Sequence, residues 1–232
     1  RLRIDISNMI YDTCENIVLD NKAANDFKNF EFELIKYFSV TTELDTNSFE
    51  SMRDKEIIDK IYKVVLSHYL NKIENNAKLA YPVIKHVYEK QREKFKRIIV
   101  PFTDGIKNLQ VITNLEKAYN SNGDQLVTDF EKNISLAILD NSWKTHLRKM
   151  DELKQSVQLA VHEQKDPLLI YKFEAFELFK SLIDSVNKEI LSFLFKAEIA
   201  TNSNKNVQQA GSRKPLKVNT SKKEIPNSEE LR

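Results

Sequence analysis

Between residues 124 and 195 the sequence carries one apolar stripe broken at a single place, and this constrains the fold more than any other feature. Leu136, Leu139, Trp143, Leu147, Met150, Leu153, Val157 and Val161 recur every three or four residues, the spacing of one helix face. About 35 residues at 1.5 Å each predict a helix about 50 Å long. Val161-His162-Glu163-Gln164-Lys165 breaks the stripe. Asp166-Pro167 restarts it, with Asp as N-cap and Pro at the first helical position, where its missing donor costs nothing. The second stripe is Leu169, Phe173, Phe176, Phe179, Ile183, Val186, Ile190 and Phe193. Two long helices joined by so short a polar segment are expected to fold back as an antiparallel hairpin.

A pivot about residue 164 sets the register. It places Val157 opposite Leu169 to Tyr171, Met150 opposite Phe176 to Phe179, Trp143 opposite Ile183 to Val186, and Leu136 opposite Ile190 to Phe193. Full burial of each such side chain contributes roughly 1.5 to 3 kcal/mol, enough to stiffen the pair into an arm with a polar tip. Periodicity alone equally allows ordinary bundle helices covered on their other faces.

The rest of the chain reads as mainly α-helical. Arg1 to Val18 has Ile6, Met9/Ile10, Cys14 and Ile17 at helical spacing and fades near Asp20-Asn21-Lys22. With no Met and no cap ahead of it, this opening reads as a helix in mid-stride and as a piece of a longer protein. Asp26 to Phe38 is helical and dense in aromatics, a natural anchor for a small core. Thr41 to Ser51 reads as a loop or a short turn, and Asp54 as the N-cap of a helix through Ile58, Ile61/Tyr62, Val65 and Tyr69. Pro82 predicts a break or kink near Ala80 or Tyr81. Ile98 to Thr103 and Ile106 to Thr113 are β-branched runs around Asp104-Gly105, which predicts a two-residue hairpin turn. Pro101 cannot donate to a ladder, so its strand is expected at an edge. Asn114 to Tyr119 is a short helix, followed by a turn at Ser121-Asn122-Gly123-Asp124. Residues 201 to 232 lack aromatics and are basic, which predicts a disordered tail. Its Arg213, Lys214, Lys217, Lys222 and Lys223 are suited to anionic headgroups or RNA, or simply to solvation.

Composition excludes several function classes. The three glycines, Gly105, Gly123 and Gly211, stand too far apart for a G-x-G-x-x-G or a G-x-x-x-x-G-K-[ST] phosphate cradle. One cysteine, Cys14, rules out an intrachain disulfide, and no H-E-x-x-H or C-x-x-C is present. A net charge of +2 gives no whole-molecule footprint for nucleic acid or an anionic membrane. No run of 18 apolar residues is present. His68 and His86 read as hydrogen-bonded core or boundary histidines, and Ser142 with His146 lacks what a hydrolase needs. The basic cluster Lys90, Arg92, Lys94, Lys96 and Arg97 around Phe95 reads as a solvated helical face, with single-stranded nucleic acid as the competing reading. His162 differs from the other histidines, because nothing in the pattern can bury it.

Three stretches carry a resemblance. They are Leu139-Asp140-Asn141-Ser142-Trp143-Lys144-Thr145-His146-Leu147, Met150-Asp151-Glu152-Leu153-Lys154-Gln155-Ser156-Val157, and Glu163-Gln164-Lys165-Asp166-Pro167-Leu168-Leu169-Ile170-Tyr171-Lys172. Together they resemble the C-terminal region of the SecA family, the motor ATPases of bacterial protein export. Val100-Pro101-Phe102-Thr103-Asp104-Gly105 and Ala118-Tyr119 look like one branch of it. The likeness covers about residues 1 to 200.

The resemblance implies a division of the chain. Residues 1–21 would end a long scaffold helix, 22–120 form a helical wing with one small β-hairpin, 124–196 form a two-helix finger, and 197–232 form the tail. Ala160, Val161, His162, Glu163, Gln164 and Lys165 would be the finger tip, contacting the SecY channel complex and unfolded preprotein. Trp143, Met150, Val157, Phe176, Phe179 and Ile183 would pack the finger. It also implies the remaining SecA domains and an anionic membrane surface as partners, with no nucleic acid. ATP and Mg would bind the parent protein outside this chain, on the cytoplasmic side of the plasma membrane. Where many relatives carry a tip tyrosine this chain has His162, and no cysteine follows Cys14 to supply the family's zinc ligands. A different class of reading remains beside it, a free-standing helical adaptor that binds protein or nucleic acid.

Overall fold

The computed structural model describes residues 2–159 and 166–200. Its elements in order are α1 (Leu2–Ala24), α2 (Phe27–Phe38), α3 (Thr46–Ser51), α4 (Asp54–Gln91), β1 (Arg97–Thr103), β2 (Asn108–Asn114), α5 (Leu115–Asn120), α6 (Asp124–Leu159), α7 (Pro167–Lys196) and β3 (Glu198–Ile199). The fold is mainly α, as the periodicity predicts, with a small antiparallel sheet in the order β2-β1-β3.

Polar residues that resemble a helix end instead make tertiary bonds, so α1 runs on past residue 22. Asn21 is buried. Its Nδ2 donates to the Ile17 carbonyl at 2.8 Å and to Glu33 at 2.7 Å, and its Oδ1 accepts from Asn29. Lys22 donates to the Met52 carbonyl and pairs with Asp54 at 2.9 Å. The helix ends at Asn25, whose φ of 52° is left-handed. Asp26 then caps α2 by accepting from the Asn29 amide at 2.9 Å. Phe30, Leu34 and Phe38 form its buried face.

The stretch expected as a loop or a short turn before Ser51 contains α3, capped by Asp45. Its buried Phe49 lies 4.6 Å from Phe30 and 5.4 Å from Phe27, so aromatic burial holds this short helix. Asp54 is the first residue of α4 rather than its N-cap, and the Arg53 at the cap makes no side-chain cap bond. The helix continues through Pro82 to Gln91. Pro82 and Lys78 are both exposed, so the carbonyl that loses its donor is open to water and the break expected there does not occur.

The hairpin forms where expected but with a longer turn. Thr103 pairs with Asn108, which leaves four residues in the connection. Asp104 accepts from the amides of Ile106 and Lys107 at 2.9 and 2.6 Å, and Gly105 supplies a φ of 88°. Burial alone would raise Asp104, but the amide bonds from Lys107 and Ile106 outweigh it and hold its carboxyl below the usual range.

Pro101 lies in the central strand, not an edge. Glu198 and Ile199, expected in the tail, pair with Thr103 and Phe102 as β3, and the Ala200 amide donates to the Pro101 carbonyl at 3.0 Å. A residue in an antiparallel strand points its N–H and C=O to one side, so the missing donor of Pro101 faces β3, where the strand is ending. The bonds to β2 are untouched.

The core gathers where the helices and sheet converge. Phe195 touches Phe38 and Tyr69, each at 5.3 Å, and Phe130 lies 4.1 Å from Phe102 and 6.3 Å from Phe193. Residues 201–232, read above as a tail, lie outside the described residues.

Candidate functional site

The two-helix arm formed by α6 and α7 is the candidate site, and three devices set its root. Gly123 turns the chain into α6 at a φ of 96°, and a Cβ there would stand 2.8 Å from the Ala77 carbonyl oxygen of α4. Only glycine allows α6 to start so close to α4. Tyr69 on α4 donates to Glu131 on α6 at 2.6 Å, both buried. Lys107 at the hairpin turn pairs with Glu189 on α7. At the far end Asp166 caps α7, accepting from the amides of Leu168 and Leu169 at 2.9 and 3.4 Å, with Pro167 in the first turn as expected.

The helices are antiparallel. Phe130 meets Phe193 near the root, and His146 meets Phe179 at 6.2 Å farther out. The expected pairing of levels holds to within about a turn. What changes is the face that packs. Beyond the root, Ile134, Ile138, His146 and Val157 on α6 and Leu182, Val186 and Ile190 on α7 are buried.

The six residues read as finger packing divide accordingly. Val157 is buried and Met150 half-buried, whereas Trp143 is 43% exposed, Phe176 63%, Phe179 47% and Ile183 41%. The expected burial of these four is corrected by the structure. Periodicity locates an apolar face but not what covers it, and the seam lies to one side of the stripe. Leu136, Leu139 and Leu147 on α6, and Phe173 on α7, are exposed with them. An apolar face of this extent marks a surface that meets something else.

Ala160, Val161, His162, Glu163, Gln164 and Lys165, the expected tip, lie outside the described residues. The structure places their attachment points at Leu159, where α6 ends, and Asp166, where α7 is capped.

His146, set aside as a hydrolytic residue, is instead a packing residue. It is buried in the seam with Trp143 at 5.4 Å, beside a notch lined by Ser142, Ser181 and Ser185. His68 and His86 are exposed rather than core, and His68 stacks on Phe195 at 6.0 Å. The basic cluster is not a helical face. Helix α4 ends at Gln91, and Phe95 in the connection is half-buried, packed against the core.

Sequence reasoning missed the Tyr69–Glu131 bond and a row in which Tyr119 stacks between Tyr88 at 4.1 Å and Tyr81 at 6.3 Å. Tyr81 and Tyr88 are seven residues apart, two helical turns, which is the signal that could have found the row.

Burial pushes the Cys14 thiol up to about 12, so it stays protonated. Among the described residues, no group of three or more His, Cys, Asp or Glu is placed to hold a metal, and no helix is long and apolar enough to cross a membrane. Neither described glycine builds a phosphate cradle. Gly105 sits in a hairpin turn, and Gly123 is closed off by Ala77.

Comparison with known proteins gives this architecture a family. The family model "SecA Wing and Scaffold domain" matches residues 1–198. The chain is 58% identical over 231 residues to the "Protein translocase subunit SecA" of Christiangramia forsetii, covering 99% of this chain and 21% of that protein. The subunit of the same name from Flavobacterium psychrophilum is also 58% identical, with the same coverage. That from Cytophaga hutchinsonii is 42% identical over 199 residues, 86% of this chain and 18% of the relative. The chain thus spans about a fifth of the length of these relatives. A match over nearly the whole chain, on helices and a hairpin laid out as described, makes this chain a member of the SecA wing and scaffold family.

Proposed function

We propose that this chain is the wing and finger portion of a SecA protein-export motor, coupling ATP-driven motion of domains outside it to movement of preprotein through the SecY channel. The observation that carries the reading is the arm. Helices α6 and α7 are anchored at one end in the folded body and converge at the other on residues 160–165. A lever needs a stiff shaft, a fixed root and a tip of varied chemistry.

The seam side chains stiffen the shaft, and Gly123, Tyr69 and Glu131 fix the root against α4. In this reading His162 and its neighbours touch the SecY mouth and the unfolded polypeptide. The exposed face from Leu136 to Leu147 on α6 and Phe173 to Ile183 on α7 meets the remaining SecA domains. ATP and Mg belong to those domains, and the whole works at the cytoplasmic face of the plasma membrane, against an anionic surface.

The reading frame upstream of Arg1 tests this. It is expected to continue into a phosphate-binding loop, and a frame opening near Arg1 would favour a free-standing adaptor instead. Titration of the 232-residue chain with ATP is expected to find no saturable site.

A further inference from the structure

We infer that the outer edge of β2, with the groove between it and α6, takes up an extended peptide carrying acidic side chains by adding it as a fourth strand. The ladder fixes which backbone groups are open. Asp104 donates to the Lys107 carbonyl and Leu115 to the Lys96 carbonyl, so every second cross-strand pair from 104/107 to 96/115 is the hydrogen-bonded one. The four pairs between them, Thr103 with Asn108, Pro101 with Gln110, Ile99 with Ile112 and Arg97 with Asn114, aim their N–H and C=O groups away from each other. On β2 those groups point outward, and β2 is the edge of the sheet. Among the described residues nothing bonds to those of Asn108, Gln110 and Ile112.

A bare edge is common, and the second observation is what distinguishes this one. A groove of about 340 Å³ adjoins its C-terminal end, bordered by β2 at Ile112 to Asn114 and by α6 at Gln125 to Asn133. Arg97, Lys117 and Lys132 line it against one carboxylate, Asp129, and none of these three cations is in an ion pair among the described residues. One Asp129 oxygen is already held by Gln125 at 3.1 Å. Thr113 borders the same groove with a buried Oγ1 that finds no partner among the described residues. An edge strand beside a helix gives main-chain bonds for affinity and side-chain subsites for selectivity, and three cations around it select carboxylates. Lysine on the edge itself would repel a pairing strand, but Asn108, Gln110 and Ile112 present none. The inference is independent of what the arm does.

The test uses the full-length protein containing this chain and two fluorescent extended peptides, one alternating valine with glutamate and one alternating valine with lysine. The glutamate peptide is expected to bind saturably and at least about tenfold more tightly than the lysine peptide, with the difference shrinking in salt. Its binding is expected to slow hydrogen exchange at Gln110 and Ile112. Ile112→Pro removes an outward donor without touching a β1–β2 bond and is expected to weaken binding about tenfold. The pair Lys117→Glu with Lys132→Glu, which leaves the ladder intact, is expected to do the same. Absence of saturable binding, equal affinity for both peptides, or unprotected edge amides in the bound state would each overturn the inference. So would displacement of the peptide by a single-stranded oligonucleotide that itself leaves the edge amides unprotected, which would mark an anion site instead.

Discussion

The Tyr69 hydroxyl donates a 2.6 Å hydrogen bond to Glu131 Oε1, joining α4 to α6 between two buried side chains at the root of the arm. The bond links the arm to the body. Tyr69→Phe keeps the packing and removes the donor, so a buried carboxylate oxygen loses a hydrogen bond. The expected loss of stability is about 1–3 kcal/mol in urea unfolding. A double-mutant cycle with Glu131→Gln is expected to return a coupling above about 0.5 kcal/mol, and a coupling of zero would separate the two residues.

Gly123 and Gly105 share positive φ angles but differ in surroundings. Gly105→Ala meets nothing within 4 Å and carries only the backbone term, about 1–2 kcal/mol. Gly123→Ala adds a collision with the Ala77 carbonyl of α4, so it is expected to cost more than Gly105→Ala, measured on both variants by thermal unfolding. Equal costs would mean that α6 can move off α4 freely.

The exposed and buried faces of α7 are separable by substitution. Leu182→Ala, in the seam, is expected to cost about 2–5 kcal/mol, whereas Phe176→Ala on the open face is expected to cost less than a quarter of that. In the full-length protein, Phe176→Ser is expected to impair preprotein transport while the isolated chain unfolds at nearly the wild-type temperature. Equal destabilisation by both alanine variants in this chain would show that the face is already covered.

Cys14 is expected to resist alkylation by a thiol reagent at neutral pH and to react fully in denaturant, since burial holds the folded thiol near 12. The sign of the linkage follows. The folded state keeps a proton that the unfolded chain releases above the ordinary value of 9.0, so this contribution is complete below pH 9.0 and lost as pH rises toward about 12. Comparison of wild type with Cys14→Ala in alkaline unfolding is expected to show the extra loss only in wild type.

Much of this fold was legible from residue spacing. The long stripes, the Asp166-Pro167 restart and the Asp-Gly hairpin are local signals, each written within one or two turns of chain. The misreadings came from tertiary partners. Asn21 and Lys22 look like a helix end until Glu33, Asn29 and Asp54 are in place, and Pro101 belongs at an edge until a two-residue strand from the far end of the chain joins it. The arm was legible as an arm, but its seam was not. Trp143 sits on the same periodic stripe as Val157, and Phe176 on the same stripe as Val186, and only the partner helix decides which of them is covered.

The central claim is that the arm carries residues 160–165 to a moving polypeptide, and a crosslink tests it most directly. His162→Cys in the full-length protein, with Cys14 replaced by alanine, is placed with the SecY channel and an exported polypeptide that carries a single cysteine and is arrested partway through, and a mild thiol oxidant is added. The account predicts a disulfide adduct between residue 162 and the arrested chain that requires ATP. No adduct from 162, nor from cysteines at Val161 and Glu163 in the same assembly, would contradict it.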